Sequence, residues 1–288
     1  DGSLTFKASE DVNLYARVAR GYRAPSIQGR ILFPPATATP LQDGVTTAKS
    51  ETITSYEGGI KSTLLGGRAR VNLSGFLYDL KNAQLTAVGG NVNANRLVNA
   101  DNVRGYGFEL DAELAPVDGL YLTAGLSYNH TEIQDAGLTT AACGGVRVDT
   151  FPNVSLCTVL DPIVTPAAPF AAAIVNIDGN RLPQSPRWIA NWTARYEIPV
   201  GDGDVYLFTD WAYRSRINFF LYESVEFQDR RQLEGGVRIG YETDRFEIAG
   251  FVRNLTNDQS AVSGIDFNNL TAMVNEPRTW GVFAGVKF

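Results

Sequence analysis

The sequence predicts an all-β fold, an antiparallel transmembrane β-barrel wall of about eleven strands. Three observations predict it. Apolar and polar residues alternate with a period of two through about eleven segments, and no amphipathic helix competes. The connections between segments are alternately short and mostly long, as in outer-membrane barrels. The polar parity carries charges of both signs deep inside the strands, where a closed soluble core would have to desolvate them.

In chain order the segments are 4–9, 12–23, 51–63, 68–86, 97–115, 120–134, 186–199, 204–221, 227–243, 246–256 and 277–288. Several exceed the usual strand length of about five or six residues; tilted membrane strands need about nine to eleven. The first is expected to descend into a tight turn near Glu10-Asp11. The second rises to GYRAP, where Pro25 cannot donate to a ladder and marks a rim. The third, through YEGGIKS, sets Glu57 and Lys61 on one face. Leu64–Gly67 turns into the fourth. In the fifth, Phe108, Leu110, Ala112 and Leu114 oppose Glu109, Asp111 and Glu113, and PVDGL makes the next turn.

The seventh sets Trp188, Trp192, Tyr196 and Ile198 against Arg187, Asn191, Arg195 and Glu197. Val205, Leu207, Trp211 and Tyr213 of the eighth oppose Asp210, Arg214 and Arg216. Leu233, Val237, Ile239 and Tyr241 of the ninth oppose Glu234, Arg238 and Glu242. The tenth leaves the sheet through NLTND. The last alternates to its end, Trp280, Val282, Ala284, Val286 and Phe288 on one parity. Connections at 24–50, 87–96, 135–185, 222–226 and 257–276 are read as the extracellular loops, with 135–185 long enough for a lid.

Alternation alone also fits a soluble sandwich. Trp and Tyr near strand ends on the apolar face, at Tyr22, Trp188, Tyr196, Tyr213, Tyr241 and Trp280, suit a headgroup region instead. Glycines on the polar parity (Gly59, Gly107, Gly125, Gly236 and Gly285) are read as leaving room for something inside. The net charge of −6 argues against a nucleic-acid partner. No run of 18 apolar residues marks a membrane helix. Cys143 and Cys157 lack the spacing of a zinc site; they are either a loop disulfide made in an oxidising compartment or two unpaired thiols.

No catalytic set, cofactor site or metal site is expected. His130 stands without a Ser or Cys partner at a suggestive spacing. Glu109, Asp111 and Glu113 lie along a strand, whereas hard-cation sites gather oxygens in a turn.

LYARVARGYRAPS (14–26), YEGGIKS (56–62), NADNVRGYGFELDAELAPVDGL (99–120), LPQSPRW (182–188), FVRNLTND (251–258) and PRTWGVFAGVKF (277–288) follow one another over nearly the whole chain. In that order they resemble the C-terminal half of a TonB-dependent outer-membrane receptor, a barrel of about 22 strands with a plugged lumen. The resemblance implies a non-enzymatic importer of a large scarce solute: a siderophore-iron complex, cobalamin or an oligosaccharide. Its implied partners are outer-membrane lipid, an N-terminal plug and the remaining strands, the TonB energy-coupling complex, and the barrel-assembly machinery that reads the strand ending at Phe288. No plug or coupling segment is expected within these residues, and the segment alone is expected not to make a stable pore.

In such walls, charges hold the plug: here Arg17, Glu57, Lys61, Glu109, Asp111, Arg195, Asp210, Glu234, Arg238 and Arg253. Ligand contacts are expected from the loops and upper lumen, at Tyr22, Arg23, Phe33, Arg181, Arg214, Arg216, Phe219 and Tyr222, with Phe220 and Phe267 as further aromatics. The rival readings are a passive porin-like barrel and a soluble all-β binding domain.

Overall fold

The computed structural model describes residues 1–29, 45–89, 94–143, 157–167, 172–266 and 270–287. Eleven strands form one antiparallel sheet in which each strand pairs with its neighbours in chain order. They are β1 (Gly2–Lys7), β2 (Val12–Arg23), β3 (Glu51–Leu64), β4 (Ala69–Gly89), β5 (Ala94–Leu114) and β6 (Leu120–Gln134), then β7 (Trp188–Val200), β8 (Gly203–Arg214), β9 (Gln232–Thr243), β10 (Phe246–Arg253) and β11 (Thr279–Val286). The turns at the β1/β2, β3/β4, β5/β6, β7/β8 and β9/β10 ends are tight. In the PVDGL turn Gly119 has φ +78°, and a Cβ there would meet the Glu197 carbonyl oxygen at 2.5 Å, so glycine is required twice over.

Register turns the period-two pattern into two continuous faces. On the outward face Trp192 lies opposite Trp211, their rings 6.0 Å apart and near-parallel. Val282 pairs with Gly250 and Gly250 with Ile239 on the same face. Trp280 is 82% exposed and Val282 75%, apolar surface of the kind that marks contact with lipid or a partner. The row Val18, Tyr56, Leu77, Tyr106 and His130 ends this apolar band; one pleat step higher runs Arg20, Thr54, Asp79, Arg104 and Glu132. The change from an apolar or aromatic row to a polar or charged one within two residues on five successive strands marks the edge of the hydrocarbon.

Four expectations are corrected. The segment 204–221 is not one strand: β8 stops at Arg214, and Ile217–Asn218 pairs separately with Gln228–Asp229. Its apolar run has no alternation to present to two solvents, and it folds into a loop core. The connection 87–96 is no long loop, because β4 and β5 continue pairing to Gly89 and Ala94. The regions 24–50 and 257–276 carry hairpins, Ser26–Gly29 with Val45–Ala48 and Ala261–Asp266 with Leu270–Val274.

The fourth concerns the inward glycines, which are seats and not empty space. Cβ atoms would lie 2.6 Å from Tyr15 Cε1 at position 59, 2.9 Å from Asn191 Oδ1 at 125 and 3.1 Å from Asp210 Oδ1 at 236. Side chains from neighbouring strands lie across these glycines and smooth the wall.

Above the sheet the loops share one apolar core. Ala83, Ala100 and Val103 of the β4/β5 hairpin meet Ile133 of β6, Val175 and Ile177 of the following loop, and Phe219, Phe220, Tyr222 and Phe227 of the β8/β9 loop. A small sheet of Thr139–Ala141, Ile174–Asn176 and Ile163–Thr165 lies within the 135–185 loop. Cys143 and Cys157 are joined there as a disulfide, their Cα atoms 5.8 Å apart.

Candidate functional site

The ten charges expected to face a lumen share one face of the sheet, called inward here, because their spacings along each strand are even and the register carries that parity from strand to strand. Near the short-turn end they make a dense network. Arg195 donates through Nε to Glu197 (2.5 Å) and through Nη2 to Glu242 (2.9 Å), and its guanidinium lies 4.1 Å from the centre of the Tyr206 ring. Arg238 donates to Glu247 at 2.5 Å and covers the Phe283 ring at 4.5 Å. The Tyr206 hydroxyl also donates to Glu247, and Lys287 to Glu242.

Elsewhere Arg17 pairs with Asp1 at 2.9 Å, and Tyr15 donates to Glu57 at 2.6 Å while Lys61 lies 5.3 Å from the Tyr15 ring centre. Glu234 accepts from Gln232 and Asn275, each at 3.1 Å. Arg253 lies 5.7 Å from the Phe251 ring centre. Glu109, Asp111 and Asp210 make no ion pair among the described residues. The sequence's alternation exposes this face and sets Glu197 two residues from Arg195, but Tyr206 and Glu242 come beside Arg195, and Lys287 beside Glu242, only through register.

A groove of about 1100 Å³ runs up this face from Arg238 and Phe251 past Asp210 and Glu234 to Arg214. It ends beneath Gln184 and Ile217. Arg214 donates to Asp229 (2.8 Å) and to Gln232 (2.9 Å), yet its Nη1 is buried without a partner. Arg181 is half-buried. Burial, followed by the nearby Arg187 and Arg216 charges, holds its guanidinium below its ordinary proton affinity against the opposing pull of Glu223.

The other candidate ligand residues separate. Arg23 is inward, opposite Glu51, and Arg216 is exposed above β8. Tyr22 lies on the outward parity, in the row with Thr52 and Lys81, so it is a rim residue. Phe219 and Tyr222 are corrected outright: they are 6% and 0% exposed, inside the loop core, and the Tyr222 hydroxyl donates to Asp266 at 2.8 Å. Their apolar run is what holds the loops together. Phe33 and Phe267 lie outside the described residues, as does Phe288. In the same layer Asp161 is buried and accepts from Asn180 Nδ2 (3.0 Å) and the Glu223 amide (2.7 Å); burial nevertheless raises its carboxyl above the ordinary value. No group of three or more His, Cys, Asp or Glu residues is set to hold a metal among the described residues.

The family described as "TonB dependent receptor-like, beta-barrel" matches residues 2–255. Among solved structures, the chain is similar to the ferric yersiniabactin uptake receptor FyuA from Yersinia pestis. The identity is 18% and the TM-score 0.69, over 99% of this chain and 36% of that one. It is also similar to BauA, the ferric preacinetobactin receptor from Acinetobacter baumannii, at 18% identity and TM-score 0.62 over 98% and 35% of the two chains. The copper transporter OprC matches at 15% identity and TM-score 0.65 over 99% and 38%. At these identities the likeness concerns the fold, and the chain spans a little over a third of the length of each of these proteins.

Proposed function

We propose, from the premise that this chain belongs to the TonB-dependent receptor β-barrel family, that the whole protein imports a large, scarce solute with energy supplied through TonB, and that the solute is a siderophore-iron complex. The chain is an outer-membrane β-barrel protein, and its family consists of receptors and transporters, not enzymes. The observation that carries the reading is the inward wall: a polar face with a large groove, backed by a lipid-facing apolar band. FyuA is a receptor for ferric yersiniabactin and BauA for ferric preacinetobactin, which favours iron complexes over cobalamin or an oligosaccharide.

The plug docks against this wall. Arg17, Glu57, Lys61, Glu109, Asp111, Arg195, Asp210, Glu234, Arg238 and Arg253 face it. Hydrated pairs of this kind contribute only about 0–1 kcal/mol each, so a plug held by them can rearrange when pulled. The last strand, β11, with the residues up to Phe288 that follow it in sequence, engages the barrel-assembly machinery.

Uptake of a panel of radioiron-labelled chelates by cells carrying the full gene, with and without TonB, tests this reading. Saturable, TonB-dependent accumulation of at least one ferric chelate is expected. Solute entry that is unsaturable and independent of TonB would identify a passive pore and refute it.

A further inference from the structure

We infer that Arg230, Arg231 and Arg278 form a phosphate-binding site on the outward, lipid-facing side of the wall at its long-loop end, and that its occupant is the phosphate of an outer-leaflet lipid. The site lies outside the lumen and does not depend on which solute is imported.

Its height on the wall follows from the strands. Leu233 lies opposite Tyr213 on the outward face and is the last apolar residue of that face on β9. Trp280, opposite Val252 and 82% exposed, is the last on β11. Arg231 stands two residues beyond Leu233, and Arg278 two residues beyond Trp280, towards the long loops. Two residues of strand span about 6–7 Å. The headgroup layer flanking the hydrocarbon is about 5–8 Å deep. The two guanidinium groups therefore stand at the depth of lipid phosphates.

The segment leaving β10 gathers the arginines. Arg230 and Arg231 share a cleft of about 600 Å³ with Leu233, Thr256 and Asn257. From the β11 side, the Arg278 amide donates to Asn257 Oδ1 at 3.2 Å, and Arg278 Nη1 to the Leu255 carbonyl at 3.4 Å. All three arginines thus border residues 255–257.

That segment is a fixed support. Thr256 Oγ1 donates to the Leu233 carbonyl (3.0 Å) and the Leu255 amide to the Gly235 carbonyl (2.7 Å), which ties it to β9. Asn254, buried, donates from Nδ2 to the carbonyls of Asp258 (3.0 Å) and Glu276 (2.9 Å), which ties it to the chain entering β11. Asn254 and Asn257 adopt φ of +47° and +52°, a conformation asparagine tolerates better than most residues.

The positive charge is not answered locally. Arg230, Arg231 and Arg278 are exposed and make no ion pair among the described residues, whereas Arg214 and Arg238, inward on β8 and β9, do. The one carboxylate in the cleft, Asp258, is committed to the turn: Oδ2 accepts from the Leu233 amide (2.8 Å) and Oδ1 from the Ser260 hydroxyl (3.4 Å). Glu276 is exposed and pairs with none of the three. The other flank of the wall differs. Its outward row above the apolar band mixes signs, and Arg104 there is answered by Asp79 at 3.0 Å. Only the β9–β11 flank offers guanidinium groups that an anion has to complete. Guanidinium forks match phosphate oxygens in geometry as well as charge, and a lipid phosphate held there leaves its acyl chains against Leu233 and Trp280 below.

Native mass spectrometry of the full-length receptor in detergent with EDTA, titrated with diphosphoryl lipid A, the same lipid dephosphorylated, and inorganic phosphate, tests this assignment. The proteins compared are wild type, Arg230→Gln/Arg231→Gln/Arg278→Gln, the corresponding triple Lys variant, and Arg245→Gln, a control in the β9/β10 turn at the opposite end. Wild type is expected to hold the phosphorylated lipid, with the triple Gln variant weaker by roughly tenfold to a hundredfold. The Lys variant should recover part of that loss, and Arg245→Gln should bind as wild type does. Dephosphorylated lipid should bind all four proteins equally and weakly. Equal affinity of wild type and the Gln variant for the phosphorylated lipid would overturn the assignment. So would a parallel loss of phosphorylated and dephosphorylated lipid, which would mean that the substitutions damage the wall. Inorganic phosphate bound as tightly as the lipid would show a free-anion site and refute the lipid occupant.

Discussion

Gly105→Ala is a small change with a calculable consequence. Gly105 lies on the inward face of β5, opposite Tyr78 of β4, and is buried under that ring. A Cβ at position 105 would stand 2.5 Å from Tyr78 Cε1, and the ring's Cζ and hydroxyl oxygen also crowd it. Ordinary contact begins near 3.4 Å and Cζ and the hydroxyl oxygen are closer still than Cε1, so the ring must retreat by more than about 0.9 Å (3.4 less 2.5) or leave its seat. Overpacking of this kind costs about 1–3 kcal/mol. Against it, replacing a strand glycine with alanine gains about 0.5–1 kcal/mol of backbone entropy. The net expectation is a loss of up to about 2.5 kcal/mol.

In a Tyr78→Ala background the clash is gone and only the entropy gain remains, so Gly105→Ala there should stabilise by about 0.5–1 kcal/mol. The sign of the substitution therefore reverses with its neighbour. Urea or thermal unfolding of the full-length barrel in detergent, run as a four-protein cycle, measures this. Additive effects of the two changes would refute the ring-over-glycine account of the wall.

Val282→Arg places a cation on the lipid face between strands that present Gly250 and Ile239, and should cost about 2–4 kcal/mol in barrel stability; a neutral result in lipid vesicles would mean this face is wet. Tyr222→Phe removes one donor from the buried Asp266 carboxylate and should destabilise the loop core by about 1–3 kcal/mol, read as faster hydrogen exchange over 217–229 with the strands unchanged. Asp161 titrates above its ordinary value of 3.8 because it is buried. Its contribution is therefore fully present below that value and is lost as pH rises through the raised one. Hydrogen exchange across 174–182 should accelerate relative to Asp161→Asn over that window; a difference that does not change with pH would contradict the shift.

Much of the wall was legible because strand faces are local. Side chains at i and i+2 share a side whatever the rest of the chain does. The pattern around Glu109 and Asp111, or Arg195 and Glu197, thus separated the two faces and found the eleven strands, with 204–221 and 227–243 both overrunning into the separate pairing of Ile217–Asn218 with Gln228–Asp229. The run INFFLY at 217–222 was misread because an apolar stretch without alternation carries no period, and only burial against the loops from β4/β5 and β6/β7 tells what it does. Tyr222 and Phe219 were placed near ligand for the same reason.

The sequence by itself determined the two-faced strands, the tight turns with their glycines, and the lipid-facing band, all consequences of backbone geometry over a few residues. Tertiary structure alone decided which charge answers which. The pairing of Arg195 with Glu242, or of Tyr206 with Glu247, depends on the register of strands distant in sequence. Tertiary structure also decided that Gly59 and Gly105 are covered by tyrosine rings and Gly125 by the Asn191 amide, because a glycine's neighbour across a sheet is set by hydrogen bonding between strands and not by the residues beside it in the chain.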